Sequence, residues 1–209
     1  LKVSLNAHAM DPLWLDLPAD KVPVVSGGRL VSGWRDTTVN GVPAWVTDLP
    51  DVAGGRWYFK QLFVNGRRAV RSRYPKEGFF RITEILTASN GLTDGRTDQV
   101  RVAPGDMQQW KNLSDVEMVH FHRWVDERMP VVSFDPGTNI AELDYISWVD
   151  MNGSHPVHGA GLSAYFCEHV FETMSEPGEW YLDRPDGQLY YIPLDGQTWE
   201  NTEVIAPEL

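Results

Sequence analysis

Cysteine is nearly absent from this 209-residue chain: Cys167 stands alone, so no internal disulfide can form and packing must hold the fold. That suits a reducing cytosol and many secreted bacterial proteins alike. No run of about 18 apolar residues occurs, which excludes a membrane-spanning helix. Basic residues are outnumbered, 18 Lys and Arg against 29 Asp and Glu, for a formal charge of −11. Such a field repels phosphate backbones and anionic membranes, so neither nucleic acid nor a membrane is an expected partner. There is no Gly-x-Ser-x-Gly elbow, no Walker loop and no dinucleotide fingerprint; no cofactor is expected, and nucleotide chemistry has no signature. No internal repeat runs through the sequence. The chain opens at Leu1 without Met or a signal-peptide pattern, so its start is expected to be a boundary within a longer protein.

Aromatic residues, by contrast, are abundant: nine Trp, seven Tyr and eight Phe. Two readings stand side by side. Most of the rings fill a β core, because aromatics suit pleated surfaces and bury large areas; or a few form a platform that stacks on sugar rings. Period-two alternation recurs, and no stretch of good helix formers sustains a helical stripe. Glu179–Asp183 and Leu189–Pro193 read as an aromatic hairpin closed by Pro185-Asp186-Gly187, and Trp57–Val64 with Arg67–Arg73 as a second closed by Asn65-Gly66. Further strands are expected at Arg29–Trp34, Ala44–Thr47, Phe79–Ile82, Gln99–Ala103, Val116–Val125, Met129–Phe134, Ile140–Leu143 and Phe166–Thr173. Short helical turns are expected at Asp106–Asn112 and Gly159–Glu168. The density of Asn-Gly and Asp-Gly steps favours antiparallel hairpins over βαβ crossovers. The fold class is therefore all-β, an antiparallel β-sandwich or flattened barrel.

Several residues invite chemical readings. His120 and His122, two apart on a strand, share a face and would chelate a metal with a third ligand from His155, His158 or His169; a lone His-x-His pair is weak evidence, and no metal site is expected. Arg71 and Arg73 share one face of a strand while Ser72 and Tyr74 share the other. Those guanidinium groups either brace a carboxylate such as Asp183 or reach sugar hydroxyls. Glu117, Asp126, Glu127, Glu168, Glu172, Glu179 and Asp183 are the carboxylates from which a catalytic pair would have to come, although most carboxylates are simply solvated. Cys167, inside the apolar run Tyr165–Phe171, reads as a buried, inert thiol.

Gly27-Gly28-Arg29-Leu30 leading to Gly33-Trp34, Asn40–Trp45, Trp57–Arg68 with Arg71–Pro75, and Gly178–Arg184 with Leu189–Pro193 together resemble the front half of bacterial right-handed parallel β-helix glycoside hydrolases. The β-xylosidase and fucosidase/xylanase groups are the ones resembled. The resemblance implies a β-sandwich inserted after the first helix rungs, with the acidic catalytic residues in a helical body that follows it; this sequence stops at Leu209, before such a body would begin. It implies residues 1–28 as rung-like, 29–200 as the sandwich, and 201–209 as the start of a further extended segment. On this reading the chain is an accessory domain that packs on the β-helix body of its parent and shapes a cleft for an oligo- or polysaccharide, with no catalytic residues of its own. The parent would be secreted or periplasmic. Arg71, Arg73, Tyr74, Trp110, His120, His122 and Trp124 are the candidates for substrate contact. The alternatives are a free-standing carbohydrate-binding module using exposed aromatics, and a complete small hydrolase.

Overall fold

Asn65 and Gly66 adopt φ of 50° and 72°. The chain reverses over them to pair β4 (Phe63–Val64) with β5 (Arg67–Arg68), as an Asn-Gly step requires. The computed structural model describes residues 26–122, 124–152 and 161–208. Within them three sheets form. The first runs β1 (Gly28–Val31), β17 (Val204–Pro207), β4, β5. The second runs β2 (Arg35–Val39), β3 (Val42–Asp48), β16 (Gln188–Tyr191), β15 (Glu179–Asp183), β6 (Val70–Arg71); it is antiparallel except where β6 joins β15. The largest runs β7 (Arg73–Tyr74), β14 (Ala164–Glu168), β11 (Glu117–Phe121), β12 (Asp126–Asp135), β13 (Ile140–Leu143), β10 (Gln99–Arg101), β9 (Glu84–Ile85). A two-residue strand, β8 (Phe80–Arg81), also lies against β14. The all-β expectation holds, in antiparallel sheets. Residues 1–25, with most of the expected rung-like segment, lie outside the described residues; Val204–Pro207, expected to be extended, is a strand between β1 and β4.

The aromatic hairpin β15–β16 is the spine of the second sheet, because alternate residues bury on opposite faces. Trp180, Leu182, Leu189 and Tyr191 turn to a core with Trp45, Trp57, Phe59, Leu62 and Val204. Tyr181 and Ile192 turn the other way, onto Val39, Ala44 and Met174. The largest sheet packs a separate core around Met118, Met129, Val131, Tyr165 and Cys167. Burying each such side chain contributes roughly 1.5–3 kcal/mol. Trp45, Trp57, Trp110 and Trp180 are core residues, whereas Trp124 and Trp148 are 88% and 82% exposed.

Several expectations need correction. Arg67–Arg73, expected as one arm, is divided among β5, β6 and β7 in three different sheets, and of Phe166–Thr173 only Phe166–Glu168 is strand, Phe171–Thr173 being a 3-10 turn. Of Trp57–Val64 only Phe63–Val64 is strand; Trp57 and Phe59, and Leu62 three residues on, bury their side chains from an irregular segment, so the apolar pattern marks core anchors rather than pairing. Asp106–Asn112 forms no helix: Asn112 takes a left-handed φ of 51° and starts a 3-10 turn at Leu113–Asp115. The helical turn expected at Gly159–Glu168 is strand β14 from Ala164 on, fixed by ladders to β11 on one side and to β7 and β8 on the other. A one-turn helix at Pro50–Ala53, with proline in its first turn, was not expected.

Candidate functional site

Arg71 belongs to β6 in the second sheet and Arg73 to β7 in the largest, so the chain changes sheets at the residue between them. Ser72 is fully buried at this crossing: its N–H donates to Trp180 O at 3.1 Å and its carbonyl accepts from His169 N at 2.7 Å. Both arginines thereby face the cleft where the two sheets meet, a cavity of about 490 Å³. Lys60, Gln61 and the segment Arg68–Arg71 line one part of it, and Arg73, Glu117, Arg128 and Glu168 of the largest sheet line another, with Trp180 completing it.

Glu117 and Glu168 sit directly opposite each other on β11 and β14. Like charges in that position repel. The buried Arg71 counters this: its Nη1 donates to Glu117 Oε2 and lies 3.6 Å from Glu168 Oε2. Lys60 Nζ donates to Glu117 Oε1 at 2.6 Å, and Arg128 Nη1 donates to Glu168 Oε2. Burial pushes the Glu117 carboxyl upward, but Arg71 and Lys60 outweigh it and hold the group below the usual glutamate value. Arg73 is held by Pro75 O at 2.9 Å and Gly78 O at 2.6 Å, with its guanidinium 3.9 Å from the Phe166 ring centroid. Burial lowers its pKa, against the pull of Glu168. Arg71 Nε and Nη2 and Trp180 Nε1 have no hydrogen-bond partner among the described residues.

Of the candidates for substrate contact, Arg71 and Arg73 line this cleft; Tyr74, His120 and His122 do not, because the alternate register turns them toward the core, and Trp110 packs into that core from an irregular segment. Tyr74 packs edge-on against Phe80 and Trp110. His120 is fully buried beside Tyr165, and burial, aided by His122, lowers its pKa to about 3. His122 Nε2 lies 3.0 Å from Glu127 Oε2, and Glu127 also accepts the Trp148 N–H. His169 is on another element, its Nε2 2.8 Å from Leu182 O, while His155 and His158 lie outside the described residues. Trp124 is exposed in the β11–β12 connection. Nor do the arginines brace Asp183, whose partners are Lys111 Nζ at 2.5 Å and Asn112 Nδ2 at 2.9 Å. Cys167 is buried, which pushes its thiol pKa up. Sequence reasoning named Glu117 and Glu168 among seven carboxylates without pairing them, and passed over Lys60. The signal that unites them is the β11–β14 register, which only tertiary pairing reveals.

Chemically, the site is a cleft with more positive than negative side chains in which both carboxylates are already ion-paired. Among the described residues no helix is long and apolar enough to cross a membrane, and no group of three metal-ligating side chains occurs. Residues 43–194 match a family described as the GH141 insertion domain. A solved structure titled "Glycoside hydrolase" superposes with a TM-score of 0.69 at 25% identity, over 91% of this chain and 33% of that one. This chain therefore spans a third of that structure's length. No curated protein matches.

Proposed function

The chain belongs to the GH141 insertion-domain family, and from that premise we propose that it is a non-catalytic accessory domain of a longer glycoside hydrolase, forming one wall of the site that receives the saccharide. One observation carries the non-catalytic reading. Glycoside hydrolysis by paired carboxyls needs one of them protonated, with its pKa raised, to act as acid. Glu117 and Glu168 instead stand on adjacent strands of one wall, tied to Arg71, Lys60 and Arg128, and Glu117 is displaced toward the ionised form. The catalytic acids would then come from the rest of the parent, for which a right-handed parallel β-helix body and a secreted or periplasmic bacterial location remain our reading from the sequence resemblance.

The test has two arms. The 209-residue chain should not hydrolyse a panel of aryl glycosides, and Glu168→Gln in the full-length parent should keep kcat within a few-fold per folded enzyme. Hydrolysis by the chain alone, or a hundredfold loss of kcat in the parent, would overturn the reading. The second reading, a sugar-binding module, is favoured by one feature: Trp124 and Trp148 are both largely exposed, Trp124 three residues before Glu127 in sequence and Trp148 held to Glu127 through its backbone N–H. Quenching of indole fluorescence by neutral oligosaccharides, lost in Trp124→Ala, would favour it over the first.

A further inference from the structure

We propose that the cleft between the two sheets recognises a saccharide unit bearing an anionic group, a uronate carboxylate or a sulfate ester, through Arg71, Arg128 and Lys60. The saccharide part of this inference rests on the accessory-domain reading above; the anionic part rests on the cleft itself. In a chain with a formal charge of −11, five cationic side chains, Lys60, Arg68, Arg71, Arg73 and Arg128, converge on one cavity. Among the described residues only Glu117 and Glu168 oppose them there, which leaves an excess of positive charge in the cleft.

The pairing pattern shows that the excess is not spent internally. Arg71 is buried yet engages its carboxylates through Nη1 alone. A buried guanidinium normally satisfies its fork with bidentate partners, and one left with unpaired donors is costly unless further negative charge is near. Lys60 and Arg128 keep side chains 48% and 40% exposed, so each can turn toward a ligand without losing its place on the wall. Arg73 is committed to backbone carbonyls and contributes field rather than hydrogen bonds. The volume of about 490 Å³ lies in the range of small-ligand sites and favours a sugar unit over an extended protein face. Inside such a cavity charge–charge attraction is stronger than at a flat surface, which is how a fixed cationic wall selects an acidic saccharide over a neutral one of the same shape.

The test is calorimetric titration of the 209-residue chain at low salt with five probes. These are uronate-substituted xylo-oligosaccharides, sulfated oligosaccharides, the neutral counterparts of both, and hexaglutamate. The expected result is that at least one acidic saccharide class binds tenfold or more tighter than its neutral counterpart, on the scale of a charge-assisted hydrogen bond. Which class binds identifies the anion. Arg128→Gln, at a partly exposed position, should erase most of that preference, as should about 0.5 M salt. Arg96→Gln, an equal charge change outside the cleft, should leave it intact. Arg71→Gln, checked for folding by circular dichroism, should abolish it. Equal binding of acidic and neutral sugars would overturn the inference while leaving the accessory-domain reading standing. Absence of binding by every acidic saccharide would also overturn it, as would binding of hexaglutamate alone, which would mark the cleft as a socket for an acidic protein segment. The accessory-domain reading falls separately, on hydrolysis by the chain.

Discussion

Lowering the pH from 7 to 5 should weaken this fold through two buried histidines. His120 and His169 are both fully buried, and burial lowers each pKa from 6.5 to about 3, with His122 adding to the effect at His120 and Arg71 at His169. Above pH 6.5 both rings are neutral whether the chain is folded or not. Below it only the unfolded chain takes up the protons, so the equilibrium moves toward unfolding, and continues to do so until about pH 3, where the folded rings titrate as well. Linkage gives about 2 kcal/mol per histidine between pH 7 and 5, roughly 4 kcal/mol for the pair. Carboxylates held low by ion pairs, such as Glu117, act mainly below this window. Asp115 and Asp106, raised chiefly by burial, work in the opposite sense. Variants remove that ambiguity because the acids are common to all of them. Urea unfolding followed by circular dichroism at both pH values should show His120→Met losing about half of the wild-type decline. His169→Asn, chosen because residue 169 sits at φ 67°, should lose a similar share. If the decline in His120→Met matches the wild type within about 0.5 kcal/mol, the protonation argument for that ring is wrong.

Glu117→Gln keeps the volume but removes the nearer of Arg71's two carboxylates, leaving Glu168 at 3.6 Å, and should cost roughly 3 kcal/mol in urea unfolding; a loss below about 0.5 kcal/mol would mean the Glu117 pair contributes little. Gly187→Ala would place a Cβ 2.7 Å from Ala53 Cβ and 2.8 Å from Leu49 O at a φ of 63°, whereas Gly66→Ala, at φ 72°, meets nothing within 4 Å. The first should destabilise by roughly 3 kcal/mol and the second by about 1, so equal effects would show that backbone strain alone governs both. Trp124→Ala removes an 88% exposed ring and should leave the unfolding free energy within about 0.5 kcal/mol of wild type.

The hairpins were legible because their information is local. Asn65-Gly66 and the Asp186-Gly187 step fix reversal by backbone geometry, and the arms Glu179–Asp183 and Ile140–Leu143 have the bounds that alternation indicated. β2 was not legible: Arg35–Val39 is mostly polar and exposed, so its pairing with β3 comes from the Asn40-Gly41 turn and not from a hydrophobic period. The misreading of Trp57–Leu62 has the converse cause. Burial there comes from side chains filling a core and from anchors such as the Trp57 Nε1 bond to Pro207 O at 2.8 Å, without a neighbouring strand.

The site was half legible for a reason that bears on its chemistry. Period two correctly put Arg71 and Arg73 on one side and Tyr74 on the other, yet a strand pattern carries no sign that the chain leaves one sheet and enters another at Ser72. That crossing is what gives the cleft two walls. It also decides the partners of Arg71: opposite Trp180 on β15, the side chain is brought by the turn into the largest sheet to Glu117 and Glu168, two carboxylates 51 residues apart in sequence that meet only across β11 and β14. Asp183 is left to Lys111 and Asn112. Arg68, Arg71 and Arg73 are neighbours in sequence, but Arg128, Glu117 and Glu168 reach them only through the sheet topology, which is what turns a basic stretch of an acidic chain into a walled cationic cavity.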